Sequence, residues 1–77
     1  MLIFAALFVS MSYRLTVVVP VYNEQDNLLR VEKVFQDYFE IAAVPTQVLF
    51  VNDGSKDRSQ ELIEEICARS EGFQYIS

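Results

Sequence analysis

The stretch LTVVVPV, Leu15–Val21, decides the fold together with a second stretch, QVLFV, at Gln47–Val51. Both are short runs rich in β-branched residues, a composition that favours strands. Because neither run alternates strictly between apolar and polar residues, we predict strands that are buried on both faces, as in a parallel sheet. Parallel neighbours need a long crossover between them, and that crossover is usually a helix.

A helical pattern fills this crossover. Apolar residues recur there at spacings of three and four, namely Leu28, Val31, Phe35, Tyr38, Phe39 and Ala42. The stripe predicts an amphipathic helix that begins near Glu24–Asp26, is capped by Asn23 and ends before Pro45.

A second helix and a third strand follow. The helix is predicted from another apolar stripe, Leu62, Ile63, Ile66 and Cys67. Asp57 and Gln60 have the spacing of a capping pair, and Gly72 is the expected stop. Phe73–Ile76 then predicts a strand, so the order is strand, helix, strand, helix, strand. This alternation predicts an α/β fold, half of a nucleotide-binding-type domain with a mainly parallel sheet.

Length and composition limit what the chain can do. Its 77 residues are too few for two domains, since single domains usually run to about 100–150 residues. A net charge of −5 argues against binding to nucleic acid, because proteins that bind nucleic acid usually have a basic face. With no His and a single Cys, the chain holds no Ser-His-Asp triad, no His-ligated zinc site and no internal disulfide. We therefore expect a reducing, cytoplasmic setting.

The first twelve residues form an apolar leader, set apart from an incomplete domain that we place at residues 13–77. Met1–Val9 is apolar throughout and too short to span a bilayer, which takes about 20 residues. It also lacks the basic start and the cleavage site of a signal peptide. Three interpretations stay open: a packed cap, a monotopic membrane contact, or a start codon upstream of a true start at Met11. Equal liposome flotation with and without residues 1–10 would contradict the membrane interpretation.

Two polar segments follow the predicted parallel strands, at the sheet edge where open α/β folds bind ligands. They are Pro20–Glu24 and Asn52–Asp57. Ionised Asp53 and Glu24 only accept hydrogen bonds, so they suit a nucleobase imino N–H or ribose hydroxyls better than a bare phosphate. Neither segment has the glycine-rich pattern of a phosphate-binding loop. The pattern thus predicts a nucleoside held by its base and sugar.

The neighbouring residues fit the same ligand, although most also have a simpler structural role. Tyr22 offers a flat face to a base, or packs at the end of its strand. Pro20 fixes the backbone at the strand exit, and Gly54 allows a sharp turn close to a ligand. Glu24 equally complements the dipole of the first helix. The convergence of the two segments is what favours the ligand-binding interpretation.

Together the two segments resemble the signatures of family 2 glycosyltransferases. Val17–Glu24, followed by Asn27-Leu28, is similar to the opening of that family. Val51–Ser59 is similar to its second motif, (Asp/Asn)-Asp-Gly-Ser-x-Asp-x-(Ser/Thr), in which Asn52 replaces the Asp of many members. The resemblance covers residues 13–77, nearly the whole chain.

The resemblance implies a truncated GT-A fold, the Rossmann-like fold of enzymes that transfer a sugar from a nucleoside-diphosphate donor. Pro20, Tyr22 and Glu24 correspond to residues that lie against the donor nucleotide, and Val51 and Asp53 to residues that hold its base. The opening is most similar to polyprenyl-phosphate sugar transferases of the dolichol-phosphate mannose synthase type. This similarity implies a lipid-phosphate acceptor and a site at the cytoplasmic face of the membrane.

The family also implies a divalent metal, Mg²⁺ or Mn²⁺, held by a later D-x-D motif. No two Asp residues of this sequence have that spacing, so we assign no metal ligand and no catalytic residue. Without a metal on the pyrophosphate, the leaving group lacks charge stabilisation. We expect the 77 residues to bind a donor but not to catalyse transfer.

A non-catalytic function is the main alternative. The third predicted strand leaves an unfinished sheet edge, and unpaired edges recruit a second copy or a partner chain. The chain would then be an α/β interaction module. A receiver domain phosphorylated on Asp53 fits poorly, because Glu24 alone supplies too few of the acidic residues that such a pocket needs.

Overall fold

The computed structural model describes residues 4–7 and 15–77. Its elements are, in chain order, β1 (Phe4–Leu7), β2 (Leu15–Val21), α1 (Leu28–Ile41), β3 (Thr46–Asn52), α2 (Ser59–Arg69) and β4 (Phe73–Ile76). They form one sheet in the order β1-β2-β3-β4, in which β2, β3 and β4 run parallel. The predicted fold class, a Rossmann-like GT-A half built as strand, helix, strand, helix, strand with a mainly parallel sheet, is confirmed.

The strand β1 is an element that the sequence analysis did not predict. It pairs antiparallel with β2, from Phe4 opposite Val18 to Leu7 opposite Leu15. This pairing satisfies backbone groups that a bare strand edge would leave open. The rest of the predicted leader, residues 1–3 and 8–12, lies outside the described residues. Within the described ranges, no helix is long and apolar enough to cross a membrane.

Apart from Thr16, which is 4% exposed, the parallel strands bury only the side chains of one face fully, so the prediction of burial on both faces is wrong. In β2, Val17, Val19 and Val21 are almost fully buried, whereas Val18 between them is only half-buried. Right-handed crossovers from β2 to β3 and from β3 to β4 place both helices on the same side of the sheet. The side chains of α1 and α2 accordingly share one core with the three buried valines.

This core lies between the covered face of the sheet and the two helices. Its buried members are Val17, Val19, Val21, Leu28, Phe35, Val48, Phe50, Ile63, Ile66 and Phe73. The Phe73 ring centroid lies 5.4 Å from that of Phe39 and 5.9 Å from that of Phe50, which connects α1 to β3 and β4. Both predicted apolar stripes face the core, although Tyr38 is 37% exposed.

The helix α1 begins later than predicted. Its first residue is Leu28, and Asn27 flanks it. In the preceding turn, the N–H groups of Asn27 and Leu28 both donate to the Glu24 carbonyl oxygen. The prediction that Asn23 caps α1 is therefore wrong, because its side chain is turned to a different partner, described below.

The predicted capping pair of α2 is also wrong. Asp57 does satisfy the start of the helix, since its Oδ1 accepts from the Ser59 N–H at 2.9 Å. Gln60, however, does not reach back to Asp57. Its Oε1 accepts instead from Asn52 Nδ2 at 2.7 Å, because the end of β3 brings that amide within reach.

Gly72 lies beyond the point where α2 stops. The helix ends at Arg69, and Ser70 is its C-cap. Gly72 belongs to the turn into β4 and has a φ of +87°, a conformation that glycine adopts freely. A Cβ at this position would lie 2.9 Å from Phe39 Cε2. The turn therefore requires glycine both for its backbone conformation and for the space beside the Phe39 ring.

An ion pair joins the two helices. Glu32 on α1 accepts hydrogen bonds from Arg69 Nη2 at 2.6 Å and from Arg69 Nε at 3.1 Å. The Ser70 hydroxyl donates a further hydrogen bond to the same carboxylate. Only 9% of the Glu32 side chain is exposed. The hydrogen bonds from Arg69 lower the pKa of Glu32, and Ser70 adds to this effect while burial opposes it.

Candidate functional site

Two loops leave the carboxyl ends of neighbouring parallel strands. The first loop, Tyr22–Asn27, joins β2 to α1, and the second loop, Asp53–Arg58, joins β3 to α2. Near these ends the strand register pairs Pro20 with Val51. The two polar segments therefore meet at one edge of the sheet, the arrangement that the sequence analysis expected.

Four of the five predicted nucleotide-binding residues lie at this edge of the sheet. Two of them are on the sheet face that points away from the core, and the other two are exposed to solvent. Pro20 and Val51 are half-buried, and they alternate with the core residues of their strands, so they face away from the helices. Tyr22 is 55% exposed and Asp53 is exposed. Neither of these two side chains forms a hydrogen bond with another described residue. Among the described residues, both side chains are therefore exposed and without a hydrogen-bond partner.

Glu24 is the fifth predicted residue, and one oxygen of its carboxylate already accepts a hydrogen bond within the first loop. Its Oε2 accepts from Asn27 Nδ2 at 2.7 Å. Its Oε1 has no hydrogen-bond partner among the described residues. This carboxylate is thus held in place by Asn27 and keeps one oxygen that can accept from a ligand hydroxyl.

Five hydrogen bonds tie the first loop to the second loop and to Ser59, the first residue of α2, and we call them the loop latch. In each, a backbone N–H on one side donates to a side chain on the other. From the first loop, the donors and acceptors are Asn23 N–H to Ser55 Oγ (3.0 Å), Glu24 N–H to Ser59 Oγ (2.9 Å) and Gln25 N–H to Asp57 Oδ2 (3.2 Å). In return, Lys56 N–H donates to Asn23 Oδ1 (2.8 Å) and Arg58 N–H to Gln25 Oε1 (2.9 Å).

Ser59 lies at the buried end of the loop latch, next to the half-buried Asp57. Ser59 is fully buried, and its Oγ is the acceptor for the Glu24 N–H. Hydrogen bonds from the Ser59 side chain and N–H, together with the Gln25 N–H, lower the pKa of Asp57. The Asp57 carboxylate thereby accepts hydrogen bonds both from the start of α2 and from the first loop.

Sequence reasoning missed most of these positioning residues. It identified Asn23 and Asp57 only as helix caps and assigned no role to Ser55, Ser59 or Gln25. Side chains of Ser, Asn and Asp commonly accept backbone N–H groups in loops, so their density in the two motifs was a usable signal. Which N–H each one accepts depends on the contact between the loops, and no local pattern predicts it.

Gly54 gives the second loop its shape. Its φ is +77°, and a Cβ built there would meet no atom within 4 Å. The backbone conformation, rather than lack of space, therefore requires glycine at this position. The open space beside Gly54 adjoins Asp53 and leaves that carboxylate accessible.

The described residues do not fit the divalent metal that the resemblance implies. No three His, Cys, Asp or Glu side chains in the described part of the chain come together as ion ligands. A cavity of about 390 Å³ lies elsewhere, lined by residues that include Phe39, Pro45, Thr46 and Gly72. Because Thr46 begins β3, this cavity lies at the amino end of the sheet, opposite to the two loops.

The comparison with known families agrees with the two motifs. Residues 16–77 match the model of glycosyl transferase family 2. The chain belongs to this family. The similarity that was recognised from Val17–Glu24 and Val51–Ser59 is thereby confirmed.

The chain is similar to several known transferases of sugars. The prophage bactoprenol glucosyl transferase homolog of Escherichia coli K12 is 30% identical over 54 residues, which cover 70% of this chain and 18% of that protein. The undecaprenyl-phosphate 4-deoxy-4-formamido-L-arabinose transferase of Edwardsiella ictaluri is 39% identical over 54 residues, covering 70% and 17%. The chain therefore spans less than a fifth of the length of these relatives. No solved structure gave a significant match.

Proposed function

We propose that the two loops bind the donor nucleotide of a glycosyltransferase, which transfers a sugar from a nucleoside-diphosphate sugar to an acceptor. One observation carries the proposal: the exposed Asp53 and Tyr22 lie on two loops that meet at the carboxyl edge of a family 2 sheet. This edge is where open α/β sheets bind their ligands.

Each residue has a role that its chemistry supports. Asp53 accepts the imino N–H of the base, because an ionised carboxylate is an acceptor only. Tyr22 stacks on the base, and the half-buried Pro20 and Val51 form an apolar surface beneath it. The Oε1 of Glu24, which has no partner among the described residues, accepts from a ribose hydroxyl. The relatives act on bactoprenol and undecaprenyl phosphate by name, so we propose a lipid-phosphate acceptor at the cytoplasmic face of a membrane.

Calorimetric titration of the chain with UDP and with GDP tests the proposal. We expect one of them to bind, and we expect Asp53→Ala to abolish that binding, because the substitution removes the acceptor for the base. Glu64→Ala is the matched control, since it removes one carboxylate of the same charge from the exposed face of α2. Equal affinity of the unmodified chain and Asp53→Ala would contradict the assignment.

The second candidate is a non-catalytic α/β module that pairs through its sheet edge. The strand β4 is bonded to β3 on one side, and it exposes 39% of Tyr75 and 54% of Ile76. Exposed apolar residues on an edge strand favour pairing with a second chain. If the folded chain binds neither UDP nor GDP, this candidate is favoured over the first.

A further inference from the structure

The residues of the loop latch alternate along the chain with the residues proposed to contact the nucleotide. Asn23 stands between Tyr22 and Glu24, and Ser55 follows Asp53 by two positions. The loop latch therefore holds the backbone beside Tyr22, at residues 23–25, and the backbone beyond Asp53, at Lys56 and Arg58. The Asp53 N–H donates to the Val21 carbonyl oxygen at 2.8 Å, at the end of the two strands, and the loop latch holds the two loops together beyond this bond.

The hydrogen bonds of the loop latch supply acceptors for backbone N–H groups that form no hydrogen bond within a helix or strand. Half-buried N–H groups need an acceptor, and those of Glu24 and Gln25 find theirs on residues 35 and 32 positions away in the chain. Asn23 has a φ of +51°, which turns its side chain toward the Lys56 N–H. Ser59 lies at the other end, where it is fully buried beneath the Glu24 N–H.

We propose that Asn23 and Ser59 are positioning residues for donor binding, which act by holding the two loops at the separation that a nucleotide requires. The inference rests on the proposed function and deepens it. Neither residue needs to touch the ligand. A binding site whose competent arrangement is only partly populated has an apparent affinity reduced by that fraction, so loosening the latch weakens binding without removing a ligand contact.

Two substitutions remove one latch acceptor each. Ser59→Ala deletes the acceptor for the Glu24 N–H. Asn23→Gly deletes the acceptor for the Lys56 N–H but keeps the positive φ, which glycine adopts without strain. Each should raise the Kd for the bound nucleotide about fivefold, the effect of one net hydrogen bond.

Two further substitutions serve as controls. Ser59→Thr keeps the hydroxyl and should restore the affinity, as the Ser/Thr alternative in the family motif implies. Ser70→Ala removes a serine hydroxyl from the other end of α2, where it bonds to Glu32 and not to the loops. A role in stability alone would weaken the fold in Ser70→Ala and Ser59→Ala alike and leave both Kd values unchanged.

Amide hydrogen exchange supplies a readout that does not depend on nucleotide. In the unmodified chain, the Glu24 and Lys56 amides should exchange slowly. Ser59→Ala should release the Glu24 amide, and Asn23→Gly the Lys56 amide. If both amides exchange in the unmodified chain as fast as exposed ones, the latch does not hold the loops and the inference is overturned.

These binding measurements distinguish a failure of the positioning role from a failure of the proposed function. If Asp53→Ala loses binding while Ser59→Ala and Asn23→Gly bind as tightly as the unmodified chain, the inference is wrong and the proposed function stands. If the folded, unmodified chain binds no nucleotide, the proposed function is wrong, and the positioning role falls with it. If Ser59→Ala fails to fold, the exposed Asn23 decides the question through Asn23→Gly.

Discussion

Glycine occupies two positions with positive φ, and the two differ in what surrounds them. At Gly54, in the second loop, a Cβ would meet no atom within 4 Å. At Gly72, in the turn before β4, it would lie 2.9 Å from the Phe39 ring. Substitution of the first glycine therefore tests the energetic cost of the backbone conformation alone, and substitution of the second adds the cost of steric crowding.

We expect Gly54→Ala to lower the free energy of unfolding by about 1 kcal/mol, the cost of a left-handed conformation for an L-residue. Gly72→Ala should cost about 3 kcal/mol, because it adds the displacement of a packed ring to the same backbone cost. Urea unfolding of both variants measures the difference. Equal losses in the two variants would show that the Phe39 ring moves aside freely.

At the scale of elements, the ion pairs of the two helices are not equivalent. Lys33–Asp37 and Arg58–Glu61 lie within single helices or their ends, and both partners are exposed. The pair of Glu32 with Arg69 joins α1 to α2, and its carboxylate is buried. Exposed pairs contribute little to stability, whereas a buried carboxylate depends on its partners.

The lowered pKa of Glu32 makes the stability of the helix pair depend on pH. A carboxyl group whose pKa is lowered by folding stabilises the folded state above its ordinary value of 4.5. That contribution is lost as the pH falls through the lowered value in the folded state. We expect the free energy of unfolding to fall below pH about 4.5, with Asp57 contributing in the same direction.

Glu32→Gln should make this loss on acidification shallower, because the amide does not titrate. Urea unfolding near neutral pH and below pH about 4 measures the slope. Glu64→Gln, which removes an exposed carboxylate from α2, should leave the slope close to that of the unmodified chain. An unchanged slope in Glu32→Gln would contradict the assignment of this carboxylate.

At the scale of the whole molecule, a single layer of helices covers one face of the sheet, and the candidate site lies at one end. The two loops occupy the carboxyl edge, and the cavity near Phe39 occupies the amino edge. The described residues proposed to contact the donor nucleotide include hydrogen-bond acceptors and an aromatic ring. They do not include a cluster that could hold a cation on the pyrophosphate.

We expect the 77-residue chain to bind a donor nucleotide and yet release no nucleotide from UDP- or GDP-sugars. The leaving diphosphate needs positive charge, and neither a D-x-D nor a metal-binding cluster is present in the described residues. Release of free UDP or GDP, with and without a polyprenyl phosphate, measures this. Asp53→Ala corrects for contaminating activity, and turnover above that background would contradict the expectation.

The local features of this protein followed from the sequence. The positions of β2, β3, β4 and both helices were predicted to within a few residues, because β-branched runs and three-to-four spacing report local structure. The two motifs identified the family, since each is a short segment with recognisable chemistry. The strand β1 was not predicted, because the apolar run at Met1–Val9 has no period that distinguishes a strand from other apolar segments.

What the sequence by itself determined is the order of the five elements from β2 to β4, the family and the two segments that converge. Only the tertiary structure decided that one face of the sheet carries both helices, that Asn23 and Gln60 bond outside their predicted caps, and that Glu32 meets Arg69. In each of these pairings the partners are distant in the chain, 33 residues for Asn23 with Lys56 and 37 for Glu32 with Arg69, or belong to different elements. Local periodicity carries no information about such partners, because the packing of one element on another selects them.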